Sequence, residues 1–414
     1  MTASTGHPLG QALMDRLDAL ASFTDEPGRL TRLYLSPAHK AAAAQVMDWM
    51  AVAGMAATID AAGNVVGRYE GSGEARQTLL LGSHIDTVRN AGKYDGNLGV
   101  LAAIACVQAL GDAGTRLPYA IEVFAFGNEE GVRFPTTLTG SRAVSGTLDL
   151  STLEVRDADG ASVREALVAF GCDPAAVPAA ARRPDDLLGY VELHIEQGPV
   201  LEAEGLPIGI VTAINGACRY RVDVIGEAGH AGTVPMNLRR DALAAAAEMV
   251  LAVERVGRSE DGLVATVGSF EIAPGGSNVI PGGAQFTIDL RAPNDALRDH
   301  AATVLQGELA AIAERRRVEL TVERFYEAAA ATCSDDLVEP LEAAVRRSGI
   351  RPLRLPSGAG HDGLAVLSLC PIAMLFLRCK GGVSHNPAEA IAVEDADIAL
   401  RVMLDFLREL APAT

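Results

Sequence analysis

Histidine and acidic residues recur in this sequence at points where apolar runs end. His84 and Asp86 follow an apolar run that begins at Thr78, and Asp95 comes after a short glycine-containing loop. Imidazole and carboxylate groups are potential metal ligands, and a carboxylate two residues from an imidazole can accept its second N–H and fix the ring. A buried His–Asp pair without a metal explains His84 and Asp86 equally well. The rest of the chain has to separate these two interpretations.

Histidine or acidic residues also appear after three later apolar runs. These positions are Glu129 with Glu130, then His194, then His385. An acidic pair on a loop is usually only solvated, and a single histidine is more often structural than a ligand. Repetition at equivalent strand ends is hard to obtain by chance. We therefore predict a site of two metal ions that share one carboxylate, with Glu129 left outside the ligand set as a base. The predicted ligands are His84, Asp95, Glu130, His194 and His385.

Apolar periodicity predicts the elements that would position these side chains. Strand Thr78–Leu81, helix Leu98–Leu110 and strand Tyr119–Phe126 form a β-α-β unit, which is typical of a parallel sheet. Strands Tyr190–Leu193 and Ile372–Leu377 extend the pattern. Open α/β folds place their chemistry at the carboxyl ends of such strands. Further helices are predicted at Gly10–Phe23, Ser36–Ala53, Asp335–Ser348, Leu364–Leu369 and Val393–Leu410.

A second domain is predicted between residues 213 and 329, because the pattern there changes to β-α-β-β-α-β. Its elements are strand Arg219–Gly226, helix Asp241–Val256, strands Leu263–Phe270 and Ala284–Arg291, helix Asp295–Arg316 and strand Val318–Phe325. This is the split βαβ arrangement, a compact α+β domain with four strands. It interrupts an α/β catalytic domain of residues 1–212 and 330–414, with Ala328–Ala331 as the return linker.

Three polar positions of the inserted domain could contact a ligand: His230, Asn278 and Arg291. An arginine at a strand end is most often a solvated charge. Arg291 could equally bind a substrate carboxylate in a bidentate contact. A protein with this negative net charge would need such a local cation to hold an anionic substrate. His361 lies in a glycine-rich loop of the catalytic domain, Ser357–Gly363, which is too flexible to have only a structural role.

Composition limits the classes of function. The 414 residues carry a formal net charge of −18, which argues against a nucleic-acid or anionic-membrane surface. The six cysteines lie far apart without a C-x-x-C pair, as expected of free thiols in a reducing compartment. The N-terminus lacks a signal-peptide pattern, and the longest apolar run is too short to span a bilayer. We expect a cytoplasmic protein.

From about Asp60 onward the chain resembles a known family. The shared motifs, in order, are GSHIDTV, KYDGNLGV, NEEGVRFP, ELHIEQGPVLE, GHAGTVPM, GSNVIPG, DLRAP, GAGHDG and SHNPAE. They are similar to those of the dinuclear-zinc amidohydrolases of the M20 peptidase clan. Within the clan they resemble the hydantoinase/carbamoylase branch, because His194 stands where peptidases and aminoacylases often have a carboxylate. Gly363 departs from the alanine that is common in the family.

The resemblance implies a phosphorylase/hydrolase-like catalytic domain with a mixed sheet and an inserted ferredoxin-like lid and dimerisation domain. It implies that Asp95 bridges two divalent ions, zinc or alternatively manganese, cobalt or nickel. His84 and His194 would bind one ion, and Glu130 and His385 the other. The resemblance also implies that Asp86 orients His84, that Glu129 is the general base and that His230 stabilises the oxyanion. The implied substrate contacts are Gln197, Asn278, Arg291 and His361. His230 and Arg291 would reach the site from the partner subunit of a homodimer.

The implied activity is hydrolysis of the ureido C–N bond of an N-carbamoyl-L-amino acid or a related ureido acid, with release of ammonia and CO2. An allantoate amidohydrolase is the alternative within the branch. A peptidase or aminoacylase of the same clan would use the same metals. A further alternative is a binding or regulatory relative that retains the metals but has lost catalysis. Retention of Glu129 with every proposed ligand argues against the binding relative. The expected partners are a small ureido acid and a second copy of the chain, with no nucleic acid and no membrane.

Overall fold

The computed structural model describes residues 8–72 and 77–410. They form two compact units. The first comprises residues up to Thr212, Cys333–Leu355 and residues from Ala359 onward, and the second comprises Ala213–Thr332 and Pro356–Gly358. Within the described ranges, no helix combines the length and the apolar character needed to cross a membrane.

The elements are numbered along the chain. The strands are β1 Ala56–Ile59, β2 Val65–Tyr69, β3 Thr78–His84, β4 Ala120–Phe126, β5 Leu187–Ile195, β6 Ile208–Ile214, β7 Gly216–Ile225, β8 Gly229–His230, β9 Val264–Ala273, β10 Val279–Ile280, β11 Gly283–Ala292, β12 Glu319–Ala328, β13 Ala331–Thr332, β14 Arg354–Ser357 and β15 Ile372–Leu377. The helices are α1 Pro8–Leu20, α2 Pro37–Val52, α3 Asn97–Asp112, α4 Thr139–Val144, α5 Val163–Phe170, α6 Val200–Ala203, α7 Ala242–Gly257, α8 Asp295–Arg316, α9 Asp335–Arg347, α10 Gly363–Val366 and α11 Val393–Glu409.

The large sheet is mixed, in the order β1-β2-β4-β3-β5-β15-β6-β13, with β14 beside β6. Its four central strands, β4, β3, β5 and β15, are parallel neighbours, so their carboxyl ends meet at one edge. Every residue of β3, β4 and β15 is buried. Strands covered on both faces read as continuous apolar runs, which is why these three were visible in the sequence. The predicted mixed α/β fold is confirmed.

The second unit contains a four-stranded antiparallel sheet in the order β12-β7-β11-β9. Helices α7 and α8 contribute apolar residues at helical spacing to its core, and β7 and β11 contribute alternating inward-facing side chains. Strands β8 and β10 pair separately as a short ribbon. The chain passes through the main elements in the order β-α-β-β-α-β.

The structure differs from the predicted elements at several ends. Strand β3 continues to His84 because pairing with β4 continues as far as Phe126, and β5 continues to Ile195 opposite Leu377. The predicted linker Ala328–Ala331 was wrong in extent, since Ala328 completes β12 and Ala331 pairs with Ile214. Strand β6 was missed altogether.

Two glycines inside helices provide a test of this packing. A Cβ on Gly99 of α3 would lie 2.3 Å from the carbonyl oxygen of Leu193, whereas a Cβ on Gly307 of α8 would meet nothing within 4 Å. Gly99→Ala should therefore lower the free energy of unfolding by about 1–3 kcal/mol, as overpacking does. Gly307→Ala should raise it by about 0.5–1 kcal/mol. Urea unfolding of both variants checks the signs, and a stabilising Gly99→Ala would contradict the packing described.

Candidate active site

Three imidazoles and two carboxylates meet at the edge formed by the central strands. Asp95 lies in the middle: its Oδ1 is 3.1 Å from Nε2 of His194 and 3.5 Å from Nε2 of His84. Its Oδ2 is 3.2 Å from Nε2 of His385, which lies 3.7 Å from Oε1 of Glu130. The five predicted ligands thus form two groups of three that share Asp95.

Backbone carbonyls orient two of the imidazoles. Nδ1 of His84 is 2.9 Å from the carbonyl oxygen of Asp86, and Nδ1 of His194 is 2.9 Å from that of Ile195. A proton on Nδ1 that is donated to a carbonyl leaves the lone pair on Nε2, which is the form that binds metal. Both Nε2 atoms face Asp95.

Asp86 acts differently from the expectation. Its carboxylate is 4.0 Å from Nδ1 of His84, beyond hydrogen-bond distance, so the carbonyl rather than the carboxylate orients this ring. The carboxylate instead accepts the backbone N–H groups of Glu129 and Glu130, at 3.1 and 3.2 Å. Asp86 therefore joins the loop after β3 to the loop after β4.

The donor set fits divalent metal ions. Oε1 of Glu130 is buried and has no hydrogen-bond partner in the described part of the chain, although it faces His385. Burial alone would raise the pKa of Asp95, but the surrounding imidazoles of His194, His385 and His84 hold it well below its usual range. Asp95 is therefore ionised and can bridge two cations. Mixed nitrogen and oxygen donors suit zinc, manganese, cobalt or nickel.

Glu129 lies beside this centre. One of its carboxylate oxygens lies within 4.8 Å of ligand atoms of both His84 and Glu130. Burial raises the pKa of the Glu129 carboxyl well above its ordinary value; His84 opposes this shift, and Glu130 adds to it. A carboxyl group with a raised pKa can both take and return a proton near neutral pH.

Left-handed backbone occurs at a non-glycine residue on three of the ligand loops. Asn128 has φ 63°, Gln197 has φ 56° and His385 has φ 54°. Such conformations cost of order 1–3 kcal/mol each and persist where the surroundings enforce them, commonly at functional sites. Asn128 immediately precedes Glu129, Gln197 lies three residues after His194, and His385 is itself a predicted ligand.

The structure places two predicted substrate residues beside the predicted metal ligands. The Gln197 side chain donates to Oδ2 of Asp95 at 2.9 Å and to Oγ of Ser384 at 3.0 Å. His361 is buried, and its ring packs edge-on against His194 with centroids 4.5 Å apart. Burial lowers the pKa of His361 well below its usual value, and the nearby His194 lowers it further.

The other predicted substrate residues belong to the second unit. His230 and Asn278 lie side by side, because Ala231 donates its N–H to the Asn278 carbonyl at 2.9 Å. Nδ1 of His230 accepts the Gly232 N–H at 3.0 Å, so its proton lies on Nε2. Arg291 lies on the four-stranded sheet, where Asp289 accepts from Nε and Nη2 at 2.7 and 3.0 Å.

Arg32 is a site residue that sequence reasoning missed. Its guanidinium is fully buried and donates to the carbonyl of Ile85 at 2.8 Å and to Oδ1 of Asn97 at 2.9 Å. It therefore fixes the loop after His84 to the first turn of α3. No pattern in the sequence indicated it, since a single arginine in a loop is usually a surface charge.

Two ligand groups that share a carboxylate, at the carboxyl edge of parallel strands, are typical of metal-dependent hydrolases. The chain belongs to Peptidase family M20/M25/M40, whose model matches residues 80–409. It is 43% identical to an N-carbamoyl-L-amino acid amidohydrolase of Geobacillus stearothermophilus, over 97% of this chain and 98% of the relative. It is 41% identical to a probable allantoate deiminase of Oryza sativa subsp. japonica, over 96% and 87%.

Solved structures agree with this assignment. A hydantoinase/carbamoylase family amidase from Burkholderia multivorans superposes with a TM-score of 0.91 at 33% identity, covering 98% of each chain. The resemblance inferred from the motifs, to the M20 clan and its hydantoinase/carbamoylase branch, is thereby confirmed.

Arg32 provides a test of how the loop after His84 is held. Arg32→Met leaves buried acceptors at Ile85 and Asn97 without their donor, so the free energy of unfolding should fall by about 3–5 kcal/mol. Arg89→Met is the matched control, because the exposed Arg89 makes only a surface ion pair with Glu26 and should change stability by at most about 1 kcal/mol. Denaturant unfolding of the metal-free proteins measures both. Equal effects would show that Arg32 is not an anchor.

Proposed function

We propose that the protein is a metal-dependent amidohydrolase that cleaves the ureido C–N bond of an N-carbamoyl-L-amino acid or a closely related ureido acid and releases ammonia and CO2. The observation that carries this proposal is the sharing of Asp95 by two ligand groups, with Glu129 beside them. The names and full-length similarity of the relatives support the ureido substrate class. Two divalent ions per chain, zinc foremost, are the cofactor that the donor set favours.

The reaction needs activation because two nitrogens donate into a ureido carbonyl and make it a poor electrophile. Divalent ions held by His84, Asp95, Glu130, His194 and His385 would supply this activation, since they would polarise the carbonyl and acidify a water molecule. Glu129 takes the proton of the attacking water and returns it to the leaving nitrogen, a transfer worth about 10²- to 10⁴-fold in rate. Asp86 holds the Glu129 backbone while this happens, through the N–H that its carboxylate accepts.

Residues of the second unit bind the substrate in this proposal. His230 presents the Nε2 proton that would stabilise the oxyanion of the tetrahedral intermediate. Asp289 engages one edge of the Arg291 guanidinium, and the carbonyl of Gly358 accepts from Nη1 at 2.7 Å. One N–H on each terminal nitrogen is left to clamp a substrate carboxylate. Asn278, beside His230, would bind the same substrate.

The second unit is proposed to act as a ferredoxin-like lid and as the homodimer interface. Its two edge strands carry exposed apolar side chains, Phe270 and Ile272 on β9 and Phe325 and Tyr326 on β12. An edge of this kind favours pairing with another copy of the same chain. A cytoplasmic location is the accompanying proposal. It is supported by the six cysteines, which all lie within the described residues and are all free, as expected in a reducing compartment.

Allantoate is the second candidate substrate, because relatives named allantoate deiminase are almost as similar as those named carbamoyl-amino-acid hydrolase. Both compounds present a ureido group and a carboxylate. An aminoacylase or peptidase activity, or a binding protein without catalysis, is a more distant alternative.

Ammonia release by the purified protein tests the function. N-carbamoyl-L-amino acids, allantoate and β-ureidopropionate are offered in parallel with an acetylated amino acid and a dipeptide. We expect ammonia from one or more ureido compounds only, loss of activity on dialysis against a chelator, and recovery on adding Zn²⁺ or Mn²⁺. Turnover of only the acetylated or peptide control would move the protein to the peptidase side of the family, and no turnover of any compound would favour the binding-protein alternative.

Glu129→Gln separates proton transfer from metal binding. Because Glu129 lies outside both ligand groups that share Asp95, this variant should keep its metal content while kcat falls about 10²- to 10⁴-fold. Glu130→Gln is the contrasting variant, since it alters a predicted ligand and should lose metal. Elemental analysis after gel filtration and steady-state kinetics give the two readouts. A Glu129→Gln enzyme that retained most of its kcat would remove Glu129 from the role of general base.

A further inference from the structure

A buried carboxylate joins two ligand loops that are far apart in the chain. Glu389, which is 5% exposed, accepts through Oε1 the backbone N–H groups of Tyr94 at 2.8 Å and Asp95 at 3.1 Å. Its Oε2 accepts from the hydroxyl of Ser384 at 3.2 Å. One side chain therefore connects the backbone of the shared ligand Asp95 to the residue before the ligand His385.

Ser384 extends this connection to the carboxylate of Asp95. Its Oγ is 3.1 Å from Oδ2 of Asp95, the oxygen that faces His385. Gln197 donates to the same Oδ2 and to the Ser384 oxygen. The hydroxyl of Ser384 has a single hydrogen, which it shares between Oδ2 of Asp95 and Oε2 of Glu389. Gln197 and Ser384 together set the orientation of Oδ2, and Glu389 holds the Ser384 oxygen beside it.

The chain accommodates Glu389 at close range. A Cβ on Gly92 would lie 2.4 Å from both Cβ and Oε1 of Glu389. Only glycine permits this approach of the Asp95 loop to the carboxylate. The two loops are consequently packed against each other through Glu389 and not merely adjacent.

We propose that Glu389 is a positioning residue that holds Asp95 and His385 at the separation that the second metal ion requires. This inference rests on the proposed metal-dependent function, since it assigns a role toward the ion held by Asp95, Glu130 and His385. A preformed pair of donors binds more tightly because the loops are already ordered when the ion arrives. Glu389 itself does not contact substrate or reacting atoms.

The chain offers a matched control in Glu196. Its carboxylate is also nearly buried, at 8% exposure, and also accepts two backbone N–H groups, those of Val200 and Leu201 at 2.7 and 3.0 Å. These contacts are local in sequence and include no proposed metal ligand. Glu196→Ala therefore reproduces the loss of a buried acceptor while the contacts of Glu389 with the Asp95 loop and with Ser384 stay intact.

The experiment titrates metal-free wild type, Glu389→Ala, Glu389→Gln and Glu196→Ala with Zn²⁺ and with Mn²⁺ against a competing indicator. We expect Glu389→Ala to weaken one of the two binding steps about 10- to 100-fold, as loss of a group that supports a ligand does. Glu389→Gln should restore it, because the amide oxygen accepts both N–H groups and the amide nitrogen can donate to Ser384. Glu196→Ala should lower the melting temperature and keep wild-type metal affinity.

Hydrogen exchange of the metal-free proteins gives a readout independent of metal and of activity. Residues 92–97 and 383–388 should exchange faster in Glu389→Ala and not in Glu196→Ala. Unchanged exchange and unchanged metal affinity in Glu389→Ala would overturn the positioning role, even if that variant melted earlier. Wild type that bound fewer than two ions would instead contradict the proposed metal centre itself, so the two failures are distinguishable.

Discussion

The structure depends on keeping several buried carboxyl groups close together at one edge of a sheet. Burial raises the pKa of Glu129 and of Asp86, brings that of Glu130 to about 7 and brings that of Asp362 to about 8. Removing charge from water costs several kcal/mol per group unless an opposite charge lies nearby. In contrast to these four groups, Asp95, which is enclosed by three imidazoles, has a pKa well below its usual range. Such a concentration of acceptors is stable when divalent cations lie among them, which is the electrostatic argument for the metal centre.

The order of the strands explains where each ligand has to lie. Strands β3 and β5 are the inner pair of the four parallel strands, and the predicted ligands His84 and His194 are part of the strands themselves. The outer strands β4 and β15 lie three spacings apart, about 14 Å at the usual distance between strands. The predicted ligands that follow these strands, Glu130 and His385, approach to 3.7 Å and must therefore extend inward on loops. The left-handed residues Asn128 and His385 provide the necessary turns.

This geometry also determines what the sequence could predict. Buried parallel strands are continuous apolar runs, so their ends, and the ligand types that follow them, were readable. Hydrogen-bond partners that are distant in the chain could not be predicted. Nothing in the sequence shows that the Asp86 carboxylate would reach the loop of Glu129, or that the Gln197 side chain would reach Asp95. Arg32 was missed because its complete burial results from tertiary packing, which a single arginine in a sequence does not reveal. Glu389 is the last residue of the SHNPAE motif, but its hydrogen-bond partner Asp95 is 294 residues away in the chain, so the contact could not be predicted.

The two ligand groups consequently differ in rigidity. His84 and His194 lie in paired strands, are nearly fully buried, and have their Nδ1 atoms held by backbone carbonyls. His385 lies on a loop, and 52% of its side chain is exposed. Strand pairing can order only the first group, so the second needs contacts between loops, which Ser384 and Glu389 supply. An ion held by Asp95, Glu130 and His385 would then be bound more weakly, and would be more accessible, than an ion held by His84, Asp95 and His194.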